Sequence, residues 1–440
     1  MLQLSYEGAT AADAASPDSA ASASGHSSTP SLTPSEVAAF DSHLAAQGIC
    51  GVRDFFLRKF EVDAVRNWDV FYKKNADRFY KDRHYLTQEF TELGELATQA
   101  RRDRGEAEPV AQAEDDGTDE GLPSASPPAA SATSAAAAAP LLPIRPPTLF
   151  ATPSQPRLLE VGCGVGNAFF PLLDLIPTLF VYALDCSKNA IQVVQNHRAY
   201  REQYELAEAA AAATIGNAGD AVAAAPAASS AAPSSAASAA PAASSAVSAP
   251  PSSSSAVSAP PIGRCAAWVC DLVADEFPSV LRSGHVDYAT LVFVLSAIHP
   301  DRMEGVLRKV WAALKPGGTL FLRDYCHYDL AQLRFAPTSK LGPQWYVRQD
   351  GTRSYFFHLA EIRGMMERVG FEVVEAKVVC KIVRNRKEGS EMKRRFVQVR
   401  ARAKAEAAAV DIADSAAGSS ETAAPASLDA TTIVSGRAPV

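Results

Sequence analysis

The chain has 440 residues, a formal net charge of −7 and a hydrophobic fraction of 47%. Much of that fraction is alanine in tracts broken by serine and proline, which bury too little surface to offset chain entropy. Four tracts, residues 1 to about 50, about 101 to 150, about 205 to 261 and about 405 to 440, are therefore expected to stay disordered, which leaves roughly 240 residues for one α/β domain with an added helical segment.

Seven cysteines with no C-x-x-C pair argue against a zinc ribbon and for reduced thiols. No run approaches the ~18 apolar residues of a membrane helix. No lysine or arginine precedes Arg53, while Glu7, Asp13 and Asp18 do, which disfavours a transit peptide. A cytoplasmic location is expected, with the nucleus as the alternative.

From Arg53 to Phe90 the chain is dense in aromatic and basic residues. Trp68, Phe71, Tyr72, Asn75 and Phe79 fall at helical spacing, so residues 51–100 read as a helical region whose aromatic stripe packs on the core. Arg66, Lys73, Lys74 and Arg78 interleave with it and suit nucleic acid. Lys81 to Leu86, between two helices, looks like a cap over a site. The linker at 101–150 carries Glu106, Glu108, Glu114, Asp115, Asp116, Asp119 and Glu120, so the folded part is more basic than the total charge suggests.

The central stretch is Leu158 to Asn167. A short apolar strand ends in Glu160, breaks into Gly162, Gly164 and Gly166, and continues into a helix from Phe169. The spacing is G-x-G-x-G, not the G-x-G-x-x-G of a dinucleotide loop. Glu160 would repel a diphosphate but tolerates an ammonium or sulfonium, which favours S-adenosyl-L-methionine over NAD. Asp185, at the end of the next apolar run, stands where a ribose-binding carboxylate is expected.

Asp271 ends the third strand and reads either as an acceptor for an adenine amino group or as a helix N-cap. The run from His285 to Leu295 is apolar enough for a central parallel strand. It delivers Ser296 and His299 to the carboxyl edge, the edge that binds ligands in open α/β sheets. A fifth strand at Thr319 to Leu322 brings Arg323, Asp324 and Tyr325 to the same edge. Asp350-Gly351 signals a hairpin flanked by Arg348, Gln349, Arg353 and Tyr355. Two last strands, Val373 to Val383 and Phe396 to Arg400, complete one α/β domain. That domain spans 151–404, interrupted at about 205–261.

These stretches resemble the tRNA 3-methylcytidine methyltransferases: Tyr80 to His84, Leu159 to Asn167, Phe293 to Ala297 with His299-Pro300, Leu322 to Tyr325, and the long Val347 to Phe357. The resemblance covers nearly all of the part expected to be ordered. It implies a Rossmann-like class I methyltransferase fold with a seven-stranded, mostly parallel sheet, and methylation of N3 of cytidine 32 in the tRNA anticodon loop, with a helper such as seryl-tRNA synthetase in one branch. Cys326 replaces a common glycine and Tyr85 a tryptophan, which leaves the branch open.

Cytosine N3 already carries a lone pair, so the reaction needs alignment rather than a base. The ring becomes cationic, and a carboxylate aimed at its exocyclic amine would stabilise it. Asp324 is the candidate, with Arg323 and Tyr325 as catalytic neighbours; an ion pair of Asp324 with Arg323 or Arg353 is the structural alternative. The cofactor set is Glu160, Gly162, Gly164, Gly166, Asn167, Asp185, Asp271, Leu272 and Phe293. The substrate set is Arg83, His84, Ser296, His299, Arg348, Gln349, Asp350, Arg353 and Tyr355, with Tyr325 or Tyr355 stacking on a base turned out of its loop. No metal is expected. The competing readings are a methyltransferase of protein or small molecules and a partner-dependent tRNA-binding module.

Overall fold

The computed structural model describes residues 32–48, 50–106, 142–209, 264–282, 284–385 and 390–405. Most of the alanine-rich tracts lie outside the described residues.

Five strands, Arg157–Val161 (β1), Phe180–Asp185 (β2), Cys265–Val269 (β3), Val286–Val292 (β4) and Leu314–Tyr325 (β5), run parallel in the order β3-β2-β1-β4-β5. Ser390–Ala403 (β10) joins β5 antiparallel, and Phe371–Asn385 (β9) forms the outer edge. The order reverses between β1 and β4, which opens a crevice at their carboxyl ends.

Alternation along each strand sends neighbouring residues to opposite layers. Leu158 and Phe321 face a layer built on helices Thr91–Asp103 (α5), Phe169–Leu175 (α6) and Lys188–Asn196 (α7). Leu159, Leu320 and Leu322 face a layer built on Pro300–Ala313 (α9) and Leu359–Val369 (α11). The helical course of α7 breaks at His197 and resumes over 198–209 (α8).

Helices Asp54–Val62 (α2) and Ala64–Asn75 (α3) cover the carboxyl edge, and Leu86–Glu89 (α4) leads into α5. The α3 aromatic stripe is packed as expected: Phe71 and Tyr72 are buried with Val165 and Ala190. Asp69 fastens α3 to the start of α7, accepting from the Ser187 hydroxyl and the Asn189 N–H, both at 2.9 Å. A carboxylate at a helix N-terminus is favoured by the helix dipole. Burial raises the Asp69 carboxyl, but these hydrogen bonds outweigh it and hold the group below its usual range.

Two boundaries differ from expectation. The leader expected to be disordered through residue 50 contains a helix, Pro34–Ala46 (α1), started by a capping box between Thr33 and Glu36. It docks beside Leu330–Arg334 (α10), and Gln47 just past it accepts from the Tyr346 hydroxyl at 2.9 Å. The domain begins before residue 151: the Leu142 and Arg145 N–H groups donate to Asn196 and Gln195 at 2.9 Å. A three-stranded sheet, Lys340–Gly342 (β6), Trp345–Val347 (β7) and Arg353–Tyr355 (β8), carries the hairpin expected at Asp350-Gly351.

Candidate active site

The glycine loop turns sharply because all three glycines hold positive φ: 68° at Gly162, 54° at Gly164 and 95° at Gly166. Side chains rarely adopt this backbone, and space is closed as well. A Cβ on Gly162 would lie 2.5 Å from a Val294 methyl, and one on Gly164 would lie 2.5 Å from the Tyr72 hydroxyl oxygen. Asp185 secures the loop, accepting from the Gly164 N–H and the Ser187 N–H at 2.8 Å each.

Beside the loop opens a cleft lined by Trp68, Tyr72, Glu160 and the glycine loop on one side. Glu160 lies in its wall, nearly fully buried, and its Oε2 has no hydrogen-bond partner among the described residues. Burial pushes its carboxyl up to about 8; the Arg83 guanidinium offsets part of that rise and Asp185 adds to it. Burial likewise raises Asp185 to about 6 against the two N–H bonds. Asp271 lies just beyond β3, and its charge, with that of Asp185, adds to the burial that raises the Cys186 thiol. Three strand ends thus place three acids along one edge.

Across the cleft the chemistry changes sign. Arg83, Arg348 and Arg353 line it with Tyr80, Phe293 and Tyr325. The Arg83 guanidinium stacks 4.8 Å from the Phe293 ring centroid, and its backbone N–H donates to Asn167 O at 2.7 Å. Asn167 returns a hydrogen bond to Tyr80 O, so the segment 80–83 is clasped to the glycine loop. Phe293 holds a φ of 60° at the end of β4, a strained backbone for a side chain of this size that costs on the order of 1–3 kcal/mol. Arg348 donates to Tyr325 Oη at 3.3 Å and to Arg353 O at 3.0 Å. Arg353 is ion-paired with Glu61 of α2 and donates to Ala297 O. Asn67 of α3 donates to Gly351 O at 2.9 Å, which pins the hairpin tip.

The two neighbours on β5 separate. Asp324 is fully buried beneath the cleft wall, accepting from the Ser296 N–H at 2.9 Å and the Tyr325 N–H at 2.8 Å. Burial raises its carboxyl to about 6 against these bonds. It pairs with neither Arg323 nor Arg353. It does not line the cleft, so direct acceptance of a base amine, the role expected of it, gives way to holding Ser296 and Tyr325. Arg323 points to the opposite layer, as alternation requires. There it is fully buried 3.5 Å from Glu89 and 4.5 Å from the Tyr85 ring centroid, away from the cleft.

Of the residues nominated from sequence, Glu160, Gly162, Gly164, Asn167, Phe293, Arg83, Ser296, Tyr325, Arg348 and Arg353 meet in this one cleft. Others do not line it. Gly166 turns the loop behind it, and Leu272 is buried in the core. Asp271 accepts from the Val273 and Ala274 N–H groups and so closes a turn, with no described helix starting there for it to cap. His84, Gln349 and Asp350 are exposed outside the cleft. His299 caps α9 and rests against Trp345. Tyr355 is turned into the core and bonds Glu361 at 2.5 Å, so it does not stack on a base in the cleft. Trp68, Tyr72 and Tyr80 line the cleft, although only packing is expected of Trp68 and Tyr72 and Tyr80 enters the sequence reading only through the resembling stretch Tyr80 to His84. No group of three or more metal-ligating side chains occurs among the described residues, and no helix among them is long and apolar enough to cross a membrane.

A family model described as a methyltransferase domain matches residues 135–376. The chain is 32% identical to the human tRNA N(3)-cytidine methyltransferase METTL6 over 79% of its own length and 83% of that protein. This chain belongs to the tRNA N(3)-cytidine methyltransferase family. Its fission-yeast member trm141, from Schizosaccharomyces pombe, is 29% identical, with 80% of this chain and 97% of that protein covered. The crystal structure of a SAM-dependent methyltransferase from Methanosarcina mazei matches 57% of this chain and 94% of its own at 15% identity and a TM-score of 0.33.

The donor set fits the cofactor expected of a family member. S-adenosylmethionine carries an ammonium and a sulfonium. The cleft offers the unpartnered oxygen of Glu160, with the buried Asp185 carboxylate behind the glycine loop that it holds. The positive-φ glycines let backbone approach a ligand where any Cβ would intrude.

Proposed function

We propose that this protein uses S-adenosyl-L-methionine to methylate N3 of cytidine 32 in the anticodon loop of tRNA, acting in the cytoplasm or the nucleus. The observation that carries the reading is the juxtaposition, in one cleft, of an unpartnered buried carboxylate oxygen on Glu160 with a wall of arginines and aromatic rings. The carboxylate answers a cationic cofactor, and the wall answers an unstacked base and its phosphates.

The cofactor supplies an electrophilic methyl group. The protein's part is to present the cytosine ring to it in line. A base taken from a single-stranded loop costs a few kcal/mol to unstack, and Phe293 and Tyr325, with ring centroids 4.9 Å apart, offer faces on which it stacks. Arg83 and Arg348 exchange their aromatic contacts for phosphates or for the carbonyl oxygen of the ring. No proton need leave N3, so alignment can provide much of the barrier reduction, up to about 7–11 kcal/mol in ideal cases. Asp324 acts from beneath: it fixes Ser296 and Tyr325 and adds a negative field under a ring that turns cationic. The α2–α3 cover, held by Glu61, Asn67 and Asp69, excludes water from the cofactor side.

The test is methyl transfer from labelled S-adenosylmethionine to purified total tRNA, followed by nucleoside analysis. A 3-methylcytidine product is expected, with seryl-tRNA synthetase added in a parallel reaction to supply a helper. Label in protein or small molecules only, with none in tRNA in either reaction, would overturn the reading.

A further inference from the structure

A lysine outside the cleft controls the turn that follows β3. Lys309, on α9, directs its ammonium at three backbone carbonyls of that turn: Leu272 O and Val273 O at 3.1 Å and Asp275 O at 2.7 Å. Among the described residues its other hydrogen bonds are internal, while the Leu272 side chain packs into the core. The Asp271 N–H donates to Asp275 Oδ2, the Val273 and Ala274 N–H groups donate to Asp271 Oδ1, and the Asp275 N–H donates to Asp271 O. Of its backbone donors, the Leu272 N–H is left without a partner among the described residues.

The turn sits next to the cofactor side of the cleft. Val269 pairs with Asp185 across the sheet, and the Cys270 N–H donates to Asp185 O at 2.8 Å. Asp271 and the Leu272 N–H therefore stand one strand away from the carboxylate that secures the glycine loop. Lys is suited to this task because its three ammonium hydrogens satisfy three carbonyls converging on one point, which a neutral side chain cannot do. Bonds from a charged donor are also stronger than neutral ones.

We infer that Lys309 is a positioning residue for the adenine end of the cofactor: by holding the 271–275 turn it aims the Leu272 N–H and the Asp271 carboxylate at the edge of the base. The inference rests on the cofactor reading above. An acceptor and a donor held side by side discriminate adenine, which presents an amine beside a bare ring nitrogen, from hypoxanthine, which presents a carbonyl beside an N–H.

The experiment measures binding of S-adenosylhomocysteine and S-inosylhomocysteine by calorimetry to the full chain and to Lys309→Met and Lys309→Arg variants. The wild type is expected to prefer the adenosyl compound. Lys309→Met is expected to bind it about tenfold more weakly and to lose most of the preference over the inosyl compound, with kcat at saturating cofactor little changed. Lys309→Arg, which keeps a charged donor, is expected to fall between them and serves as the readout if the methionine variant does not fold. Unchanged affinity and preference in the variants would overturn the inference, as would weaker binding with the preference intact, which would make Lys309 merely stabilising. A wild type that binds neither compound would remove the cofactor reading itself and this inference with it.

Discussion

The two halves of the cleft carry opposite charge and differ in whether that charge is already paired. On the side of β1 and β2, acids are buried and partly unsatisfied: Glu160 lacks a partner for one oxygen among the described residues, and its carboxyl rises to about 8. On the side of β4, β5 and the β7–β8 hairpin, the arginines are satisfied from within, Arg353 by Glu61, Arg348 by Tyr325 and backbone, and Arg83 by the Phe293 face. The first half is built for one small cation that supplies what is missing. The second is built for exchange: its cations are held in place by modest contacts that a phosphate or a base can replace. A buried unpaired carboxylate costs several kcal/mol to keep charged, so Glu160 stays largely protonated at neutral pH until its ligand arrives.

This contrast can be broken most sharply from below. Asp324→Ala is expected to lower kcat by about 10²- to 10³-fold while S-adenosylhomocysteine binds normally, because Ser296 and Tyr325 lose their anchor but the acidic half is untouched. Turnover near the wild-type value would remove Asp324 from the mechanism. Gly164→Ala should do the reverse. At a φ of 54°, with the Tyr72 hydroxyl 2.5 Å from the new Cβ, the strain of about 1–2 kcal/mol per residue adds to a steric clash. Cofactor affinity should fall by tenfold or more while tRNA binding persists; equal loss of both ligands would show that the halves are not separable.

A finer test uses protons. The Glu160 carboxyl, raised to about 8 in the free protein, must ionise to meet an ammonium. Binding at neutral pH should therefore release a proton, and affinity for S-adenosylhomocysteine should rise with pH up to about 8, by at most about tenfold per pH unit. Calorimetry in buffers of different ionisation enthalpy measures that release, and Glu160→Gln should abolish it; a flat profile in the wild type would place the cofactor's ammonium elsewhere. The smallest effect is expected on the cationic side. Arg348→Met should weaken tRNA binding by about tenfold and reduce the salt slope by roughly one, leaving the cofactor unaffected. An unchanged slope would mean that Arg348 keeps its bond to Tyr325 in the complex and never meets a phosphate.

Particular residues show why some of this was legible and some was not. The glycine loop and the strands on either side of it announce themselves locally, through apolar runs ended by an acid and by glycines that no other residue could replace. Arg323 and Asp324 were both assigned to catalysis, although strand alternation alone shows that neighbours on β5 cannot share a face. Tyr355 and His299 carried ligand-binding chemistry in the right order along the chain, but whether such a side chain faces a cleft, a core or a helix end depends on what packs against it. Trp68 and Tyr72 were read as core and turn out to be both core and cleft wall, because the core they join is the one under the glycine loop. Lys309 bears no sequence mark at all: its partners are carbonyl groups, which every residue has.

What the sequence determined by itself was the kind of sheet, the cofactor loop and its three glycines, and the family to which the long Val347 to Phe357 match points. Each is written in short-range pattern, where the physics of turn, strand and close approach acts within a few residues. Only the tertiary structure decided which charges remain unpaired, which arginine faces the cleft and which hides behind the sheet, and how α2 and α3 close over the glycine loop. Those follow from contacts between segments far apart in the chain, such as Glu61 with Arg353 or Asp69 with Ser187, and burial, which sets the acidity of Glu160 and Asp324, exists only once those segments have met.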